Sequence, residues 1–319
     1  MSQPIRIASY NLRFDIWPDG VTVKQSLERL PPPLKKPEFY KEVARERPWS
    51  ERRVRVWRQL ESENLDVIGF QEAVVRQCHD LQELLGSEWA WVGVGRDDGQ
   101  NRGEFNPIFY RQSRYNLVHK ETFWLSTTPS KPSRYPGAGS FRLCTLVRLT
   151  SKTTGQTVSV LNSHLDDQSD KQRQYGASML LTRARYEEYA QNAAVVLTGD
   201  FNSPPDGSDS GAYQIITGAR APLDIDHGFA KQYAVPSNAP PFKMLDIRGE
   251  TPTDRIEGHF ATYTGFVEVG RSDNYRRIDF ILGGSNRRWT PLLYKVCETV
   301  SDDGVYASDH RPVIAHLQV

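Results

Sequence analysis

Two stretches of this chain repeat one arrangement: an apolar strand that stops at a polar residue, a crossover containing a helix, and a second apolar strand that stops at another polar residue. In the first, Ile5–Tyr10 alternates in strand fashion and ends at Asn11, and Leu65–Phe70 ends at Gln71-Glu72. In the second, Thr157–Leu161 ends at Asn162-Ser163-His164. The segment from Asp170 to Gln191 then reads as a long polar-faced helix, and Val195–Thr198 ends at Gly199-Asp200-Phe201-Asn202. These are two related βαβ-like units, which put polar residues at the carboxyl ends of strands, where α/β sheets hold their ligands. Asn11 to Glu72 spans 61 positions and His164 to Asp200 spans 36. The excess falls mostly in Trp17–Trp49, which carries Pro18, Pro31, Pro32, Pro33, Pro37 and Pro48 and reads as an insertion in the first unit.

The rest of the chain shows no domain boundary. Val54, Trp57 and Leu60 recur at helical spacing, and a helix through Cys78, Leu81, Leu84 and Leu85 stops at Gly86. The loops Thr127–Gly139 and Asp206–Gly211 are too short for interdomain linkers, and Asp224–Glu257 reads as a surface excursion. One domain over residues 1–319 is the economical expectation.

Forty basic against thirty-nine acidic side chains give a formal charge of +1. That excludes a protein that holds nucleic acid by bulk positive charge, so a phosphate-bearing partner must meet a local site. A mean hydropathy of -0.58 points to well-hydrated loops or insertions. No apolar run is long enough to span a bilayer. Met1-Ser2-Gln3-Pro4 leads into the first strand without a basic or apolar leader, Cys78, Cys144 and Cys297 are far apart and odd in number, and no Asn heads an Asn-x-Ser/Thr triplet. The expectation is an intracellular protein, cytoplasmic or nuclear, without disulfides or structural zinc.

Chemistry concentrates at the strand ends. Asn11, Glu72, His164, Asp200, Asn202, Asp279 and the pair Asp309-His310 each lie at or near the end of an apolar strand. Asp279 sits between Ile278 and Phe280-Ile281-Leu282, so it is expected to be buried and to need a partner, for which His310 is the obvious candidate. Taken singly, each element reads as an ordinary capped turn, strand end or buried ion pair. Their joint order and spacing do not.

Six segments carry a family resemblance: Ser9-Tyr10-Asn11-Leu12-Arg13, Phe70-Gln71-Glu72, Asn162-Ser163-His164-Leu165, Thr198-Gly199-Asp200-Phe201-Asn202, Arg277-Ile278-Asp279-Phe280-Ile281 and Ala307-Ser308-Asp309-His310-Arg311-Pro312. In this order they resemble the motif set of the endonuclease/exonuclease/phosphatase superfamily, which includes deoxyribonuclease I, abasic-site endonucleases, deadenylases, neutral sphingomyelinases and inositol-polyphosphate 5-phosphatases. The resemblance implies an α/β fold, a four-layer α/β/β/α sandwich of two packed mixed sheets with the active site at one end. It also implies a phosphoester hydrolase using Mg²⁺, with Mn²⁺ able to substitute.

On that resemblance Glu72 is the first metal ligand, with Asn11 and Asp309 beside it. Asp200 accepts a proton from the attacking water and Asn202 orients the water or the phosphate. Asp279 fixes the tautomer of His310 and favours its charged form, and His164 binds the phosphate or protonates the leaving group. Asp200, or His310 backed by Asp279, serves equally well as general base at this level.

Ser203-Pro204 and Ser308-Asp309-His310 depart from the 5-phosphatase pattern, and a secreted digestive nuclease would carry a signal peptide and disulfides. Trp49-x-x-Arg52, Gly93–Gly99, Gly103–Tyr110 and Arg142–Thr145 resemble a bacterial and fungal subgroup nearest the deadenylase-like branch, without the leucine-rich repeats of those deadenylases. In the superfamily layout Arg96, Glu104, Asn106 and Arg142 would ring the mouth of the site, as substrate-selecting groups or as loop structure held by salt bridges. Residues 16–58 hold eleven Lys/Arg and six Asp/Glu, a local charge of +5 (11 − 6), which reads either as a flap steering a nucleic acid strand or as a solvated helix face. The leading expectation is a nuclease or phosphodiesterase acting on nucleic acid as a monomer, with no protein partner and no membrane insertion. A hydrolase of small or lipid-like phosphoesters comes next, and a catalytically dead phosphate-binding scaffold last.

Overall fold

A computed structural model describes residues 4–29, 46–267, 275–301 and 303–319. Among the described residues are thirteen strands: β1 (Ile5–Asn11), β2 (Val67–Gln71), β3 (Trp89–Val92), β4 (Ile108–Arg111), β5 (Tyr115–Trp124), β6 (Leu143–Ser151), β7 (Thr157–His164), β8 (Ala194–Asp200), β9 (Met244–Asp246), β10 (Ile256–Gly258), β11 (Asp279–Gly284), β12 (Thr290–Val296) and β13 (Val313–Gln318). The longer helices that position the site are α2 (Trp49–Glu61), α3 (Val75–Leu85) and α4 (Asp170–Ala190), and a short α1 (Val23–Glu28) precedes them. One sheet runs β10-β12-β13-β1-β2-β4-β3 and the other β5-β6-β7-β8-β11-β9. The two βαβ-like units are present: β1 pairs parallel with β2 and β7 parallel with β8, near the middle of each sheet.

Period-two alternation sorts the strand side chains into separate cores. From β1, Ile5 and Ile7 enter a core between the sheets, together with Val196, Val147 and Ile281, while Ala8 and Tyr10 face the other way, onto Trp49, Val56 and Leu60 of α2 and Cys78 and Leu81 of α3. From β8, Val196 points between the sheets, and Val195 and Leu197 meet Met179, Leu180 and Ala184 of α4. Three cores separate four layers, helices, sheet, sheet, helices. The fold is the expected α/β/β/α sandwich.

The space between the sheets is not wholly apolar. Gln71 Nε2 donates to Asn162 Oδ1 (2.7 Å), Thr198 Oγ1 donates to the same oxygen (3.1 Å), and Asn162 Nδ2 donates to the carbonyls of Phe70 (2.7 Å) and Pro107 (3.0 Å). This buried staple ties β2 to β7 and β8 just beneath the strand ends. Gly69 lies against Thr198 and Asn162 so closely that a Cβ has no room there.

Three features differ from the sequence reading. Asp224–Glu257 is more than a surface excursion: it contributes β9 to one sheet and β10 to the other, and Asp246 accepts both Arg277 Nη1 (2.7 Å) and Nη2 (2.8 Å). On the basic segment, Arg52 and Arg53 are buried on α2 and Arg55 is half-buried against Asp303, whereas Lys24, Arg29 and Arg58 are exposed, so only part of its charge is solvated. Residues 30–45 of the predicted 17–49 insertion lie outside the described residues. The polar residues of α4, finally, are partly internal. Glu187 is fully buried and accepts Arg148 Nη2 (2.7 Å), Arg183 Nη1 (2.5 Å) and the Ser159 hydroxyl.

Removing one partner strands the others, so Glu187→Ala is expected to destabilise by about 3–5 kcal/mol. The contribution has a pH window. Burial alone would raise the Glu187 pKa, but Arg148, Arg183 and Ser159 hold it below the usual range. The stabilisation is therefore present above the unfolded value of about 4.3 and lost as pH falls through the folded one. Melting curves of the variant and wild type should differ strongly at pH 7 and converge in acid. No helix among the described residues is long and apolar enough to cross a membrane.

Candidate active site

Strand register brings the site together. In one sheet His164, Asp200 and Asp279 stand abreast, with His164 opposite Asp200 across the β7–β8 ladder and Asp279 opposite Asp200 across β8–β11. In the facing sheet Asn11 lies opposite Gln71, and Glu72 follows. The chain leaves these ends through left-handed backbone: Arg13 (φ 55°), Glu72 (φ 58°) and Asn202 (φ 47°). For Arg and Glu that conformation costs on the order of 1–2 kcal/mol each, a cost borne where surrounding hydrogen bonds fix the turn.

Asn11 Nδ2 donates to both Glu72 Oε1 (3.0 Å) and Asp200 Oδ2 (2.9 Å), while its Oδ1 accepts the Arg13 N–H (2.9 Å). Asn11, expected beside the metal, thus stands between two carboxylates. Its oxygen accepts one backbone N–H, and its amide hydrogens bridge two carboxylates. The other Glu72 oxygen accepts the Phe14 N–H (3.2 Å). Asn202 N–H donates to Asp200 Oδ1 (2.9 Å). Asn202 Nδ2 gives its two hydrogens to the Leu165 carbonyl (3.1 Å) and His164 Nε2 (3.0 Å), leaving Oδ1 for a ligand. His164 is thereby an acceptor at Nε2. Burial, reinforced by Arg142 and Arg96, holds its pKa well below the ordinary value, so it is neutral and steadies Asn202. Protonating a leaving group would require giving up that bond.

His310 Nδ1 bonds Asp279 Oδ2 (2.9 Å), the partnership expected from the sequence. Thr262 Oγ1 accepts the N–H groups of Ile278 and Asp279 (3.0 Å each), which fixes the carboxylate's strand end. Burial alone would lower the His310 pKa, but Asp279 and then Asp200 outweigh it and keep it well above the usual range. His310 Nε2 lies 3.6 Å from Asp200 Oδ2, and so does His164 Nε2. Burial and then the Asp279 charge push Asp200 up to about 7. Burial also raises Asp309, with Glu72 adding to the shift and His310 opposing it.

Above this floor opens a cleft of about 510 Å³. Of the residues expected at its mouth, Arg96, Glu104 and Arg142 line it and Asn106 does not; the Asn106 amide donates to the Leu143 carbonyl (2.9 Å) behind the wall. Arg96 Nη1 pairs with Glu104 (2.6 Å) and Arg142 Nη2 with Asp167 (2.8 Å), so the wall alternates donors and acceptors. Burial and then the charge of Glu72 push Glu104 up to about 7, against the pull of Arg96. Sequence reasoning missed Arg13, Phe14, Tyr263 and Arg276, which also line the cleft. Arg13 closes the first motif segment without a role assigned to it and Arg276 directly precedes the fifth; Tyr263 arrives only through long-range bridges to Arg276 and His310, packing edge-on against the His310 ring (4.9 Å between centroids).

Two back-to-back sheets whose adjoining strand ends gather carboxylates, amides and an Asp–His pair at one cleft define a phosphoesterase class of α/β sandwich. The chain belongs to the Endonuclease/Exonuclease/phosphatase family, whose model matches residues 8–310. It is 26% identical to an endonuclease/exonuclease/phosphatase from Bacteroides vulgatus over the whole of both chains, with a TM-score of 0.75. The mannosyl-6-phosphatase of Bacteroides thetaiotaomicron is 23% identical over 99% of this chain and all of that one, with a TM-score of 0.72. D. rerio TDP2, complexed with a single-strand DNA product, is 16% identical over the whole of both chains, with a TM-score of 0.61. No curated protein sequence matches the chain.

Proposed function

We propose that this chain is a divalent-cation-dependent phosphoester hydrolase in which Asp200 receives the proton of the attacking water, and that its substrate is a small, hydroxyl-bearing phosphoester. The observation that carries the hydrolytic reading is Asp200 itself. Its Oδ2 stands within 3.6 Å of two imidazole nitrogens, with its pKa at about 7, beside a histidine that Asp279 keeps charged. A general base works best with a pKa near the working pH. A charged His310 is spent as a base and suited to binding phosphoryl oxygens, which favours Asp200 over His310 in that role.

The donor set fits a hard cation. Glu72, Asp200 and Asp309 put three carboxylates in one cleft without a thiolate, and burial beside Glu72 holds Asp309 above its usual range, which a cation between them would relieve. Mg²⁺ or Mn²⁺ held by Glu72 and Asp309 would offset the charge of the phosphate. Asn11 keeps Glu72 and Asp200 apart by bridging them, and Asn202 Oδ1 is free to orient water.

Charge supports the small substrate. Five cationic side chains, Arg13, Arg96, Arg142, Arg276 and His310, face five carboxylates, Glu72, Glu104, Asp167, Asp200 and Asp309, so the side chains form no extended basic track for a polyanion and the cation would supply the local positive charge. The Arg96–Glu104 and Arg142–Asp167 pairs offer the alternating donors and acceptors that hydroxyl groups need, and the B. thetaiotaomicron relative is a mannosyl-6-phosphatase. A nucleic acid strand is the second reading, favoured by Arg276, which lines the cleft with no carboxylate partner among the described residues.

The test is turnover of sugar phosphates, chromogenic phosphomonoesters and diesters, single-stranded DNA, abasic DNA and poly(A), with chelator and with Mg²⁺ or Mn²⁺ restored. Loss of all turnover on chelation is expected, with kcat/KM for the best small ester at least about tenfold above any strand. Activity surviving chelation sinks the metal assignment; preferential cleavage of a strand promotes the second reading.

A further inference from the structure

Arg52 takes no part in the cleft, yet its surroundings are unusual for a cation. It is buried on α2, and no carboxylate lies within ion-pairing distance of it among the described residues. Its hydrogens go to backbone carbonyls instead. Nη1 donates to Leu12 (2.6 Å) and Ala307 (3.0 Å), Nη2 to Arg13 (2.9 Å) and Phe14 (3.5 Å), and Nε to Arg47 (2.9 Å). Burying an unpaired charge is unfavourable unless something demands it. A carboxylate would satisfy the same guanidinium more strongly, so the choice of carbonyls calls for a reason.

The carbonyls supply it. Leu12, Arg13 and Phe14 form the turn after β1, including the left-handed Arg13, and this turn sends the Arg13 N–H to Asn11 Oδ1 and the Phe14 N–H to Glu72 Oε2. Ala307 begins the segment that carries Asp309 and His310. There the Ser308 hydroxyl donates to the Asn11 carbonyl (2.7 Å) and accepts the His310 N–H (3.2 Å). One planar fork therefore joins two loops that are distant in sequence: the turn whose N–H groups hold Asn11 and Glu72, and the segment that carries Asp309 and His310.

We propose that Arg52 is a positioning residue: through the carbonyls of Leu12, Arg13, Phe14 and Ala307 it locks the two loops that set Glu72 and Asp309 for a divalent cation. The proposal rests on the cation-dependent reading of the site. Lysine cannot replace it, because an ammonium is a single donor centre and cannot reach carbonyls spread across a fork. Arg53 provides a control on the same helix. It is equally buried but bonds Asp80, Ser26 and the Val21 carbonyl, away from the cleft.

The experiment compares full-length wild type, Arg52→Lys and Arg53→Lys, all shown folded by circular dichroism. Mn²⁺ affinity is measured by calorimetry, and kcat and KM on a chromogenic phosphodiester. Arg52→Lys is expected to weaken Mn²⁺ binding and lower kcat, each about 10–100-fold, with KM within threefold, while Arg53→Lys loses melting temperature only. Ethylguanidinium added to Arg52→Ala should recover part of the Mn²⁺ affinity. Equal Mn²⁺ affinity in wild type and Arg52→Lys, or equal losses in both lysine variants, overturns the proposal. Wild type that binds Mn²⁺ without turning over any phosphoester sinks the hydrolase reading instead, and the affinity comparison still decides the role of Arg52.

Discussion

Asp200→Asn is expected to lower kcat by about 10²–10⁴ with little change in KM. Asp200 touches both halves of the site, accepting Asn11 Nδ2 from one sheet and the Asn202 N–H from its own loop. Asparagine keeps the shape but cannot take a proton from water. The change also sets two amides against each other at Asn11, which costs about 1–3 kcal/mol as a lost acceptor. Removal of a buried negative charge next to Asp279 works in the opposite direction. The melting temperature should therefore stay near that of wild type while turnover collapses. A variant that retains a tenth or more of wild-type kcat would show that the proton goes elsewhere.

Asp279→Asn should have an effect of similar size, about 10²–10⁴, but with a different dependence on pH. In wild type Asp279 and Asp200 raise the His310 pKa against the effect of burial, so the ring is charged well below 6.5 and stays charged as pH rises through the neutral range. Without the Asp279 charge, burial is opposed only by Asp200 and, more weakly, Asp309, and the folded pKa falls. The ring then loses its proton at lower pH, and with it the attraction for phosphoryl oxygen. The alkaline limb of kcat/KM should move to lower pH, so the deficit is greater at pH 8 than at pH 6. An equal deficit at both values would mean that Asp279 acts by orienting the His310 ring and not by charging it.

The parts of this molecule that could be read from sequence are those where local pattern and tertiary environment agree. β1, β2, β7 and β8 are buried on both faces, so each appears as an apolar run with a definite polar stop, and Asp279 announces its need for a partner by standing inside such a run. What could not be read depends on contacts between distant segments. Neither Arg13 nor Glu72 is a residue type that favours left-handed backbone, so their turns leave no trace in composition. The three-residue strands β9 and β10 exist because β11 and β12 offer open edges, not because their own residues alternate. The inward arginines of α2 look like surface charge until their carbonyl and carboxylate partners are located. The direction of the Asn11 amide is decided by one backbone N–H, two residues further on.

Apolar sheet faces packed on each other tolerate a small lateral slip, because dispersion attraction that weakens on one side of a side chain is regained on the other. The Gln71–Asn162–Thr198 staple does not, since a hydrogen bond weakens steeply once its length and angle leave a narrow range. Lying directly below strand ends that come from both sheets, it acts as a locating pin between two separately built plates. Asn11 and Glu72 on one plate and His164, Asp200 and Asp279 on the other are thereby referred to a single datum, and distances such as the 2.9 Å from Asn11 to Asp200 are set by alignment deep in the sandwich rather than by the loops above it.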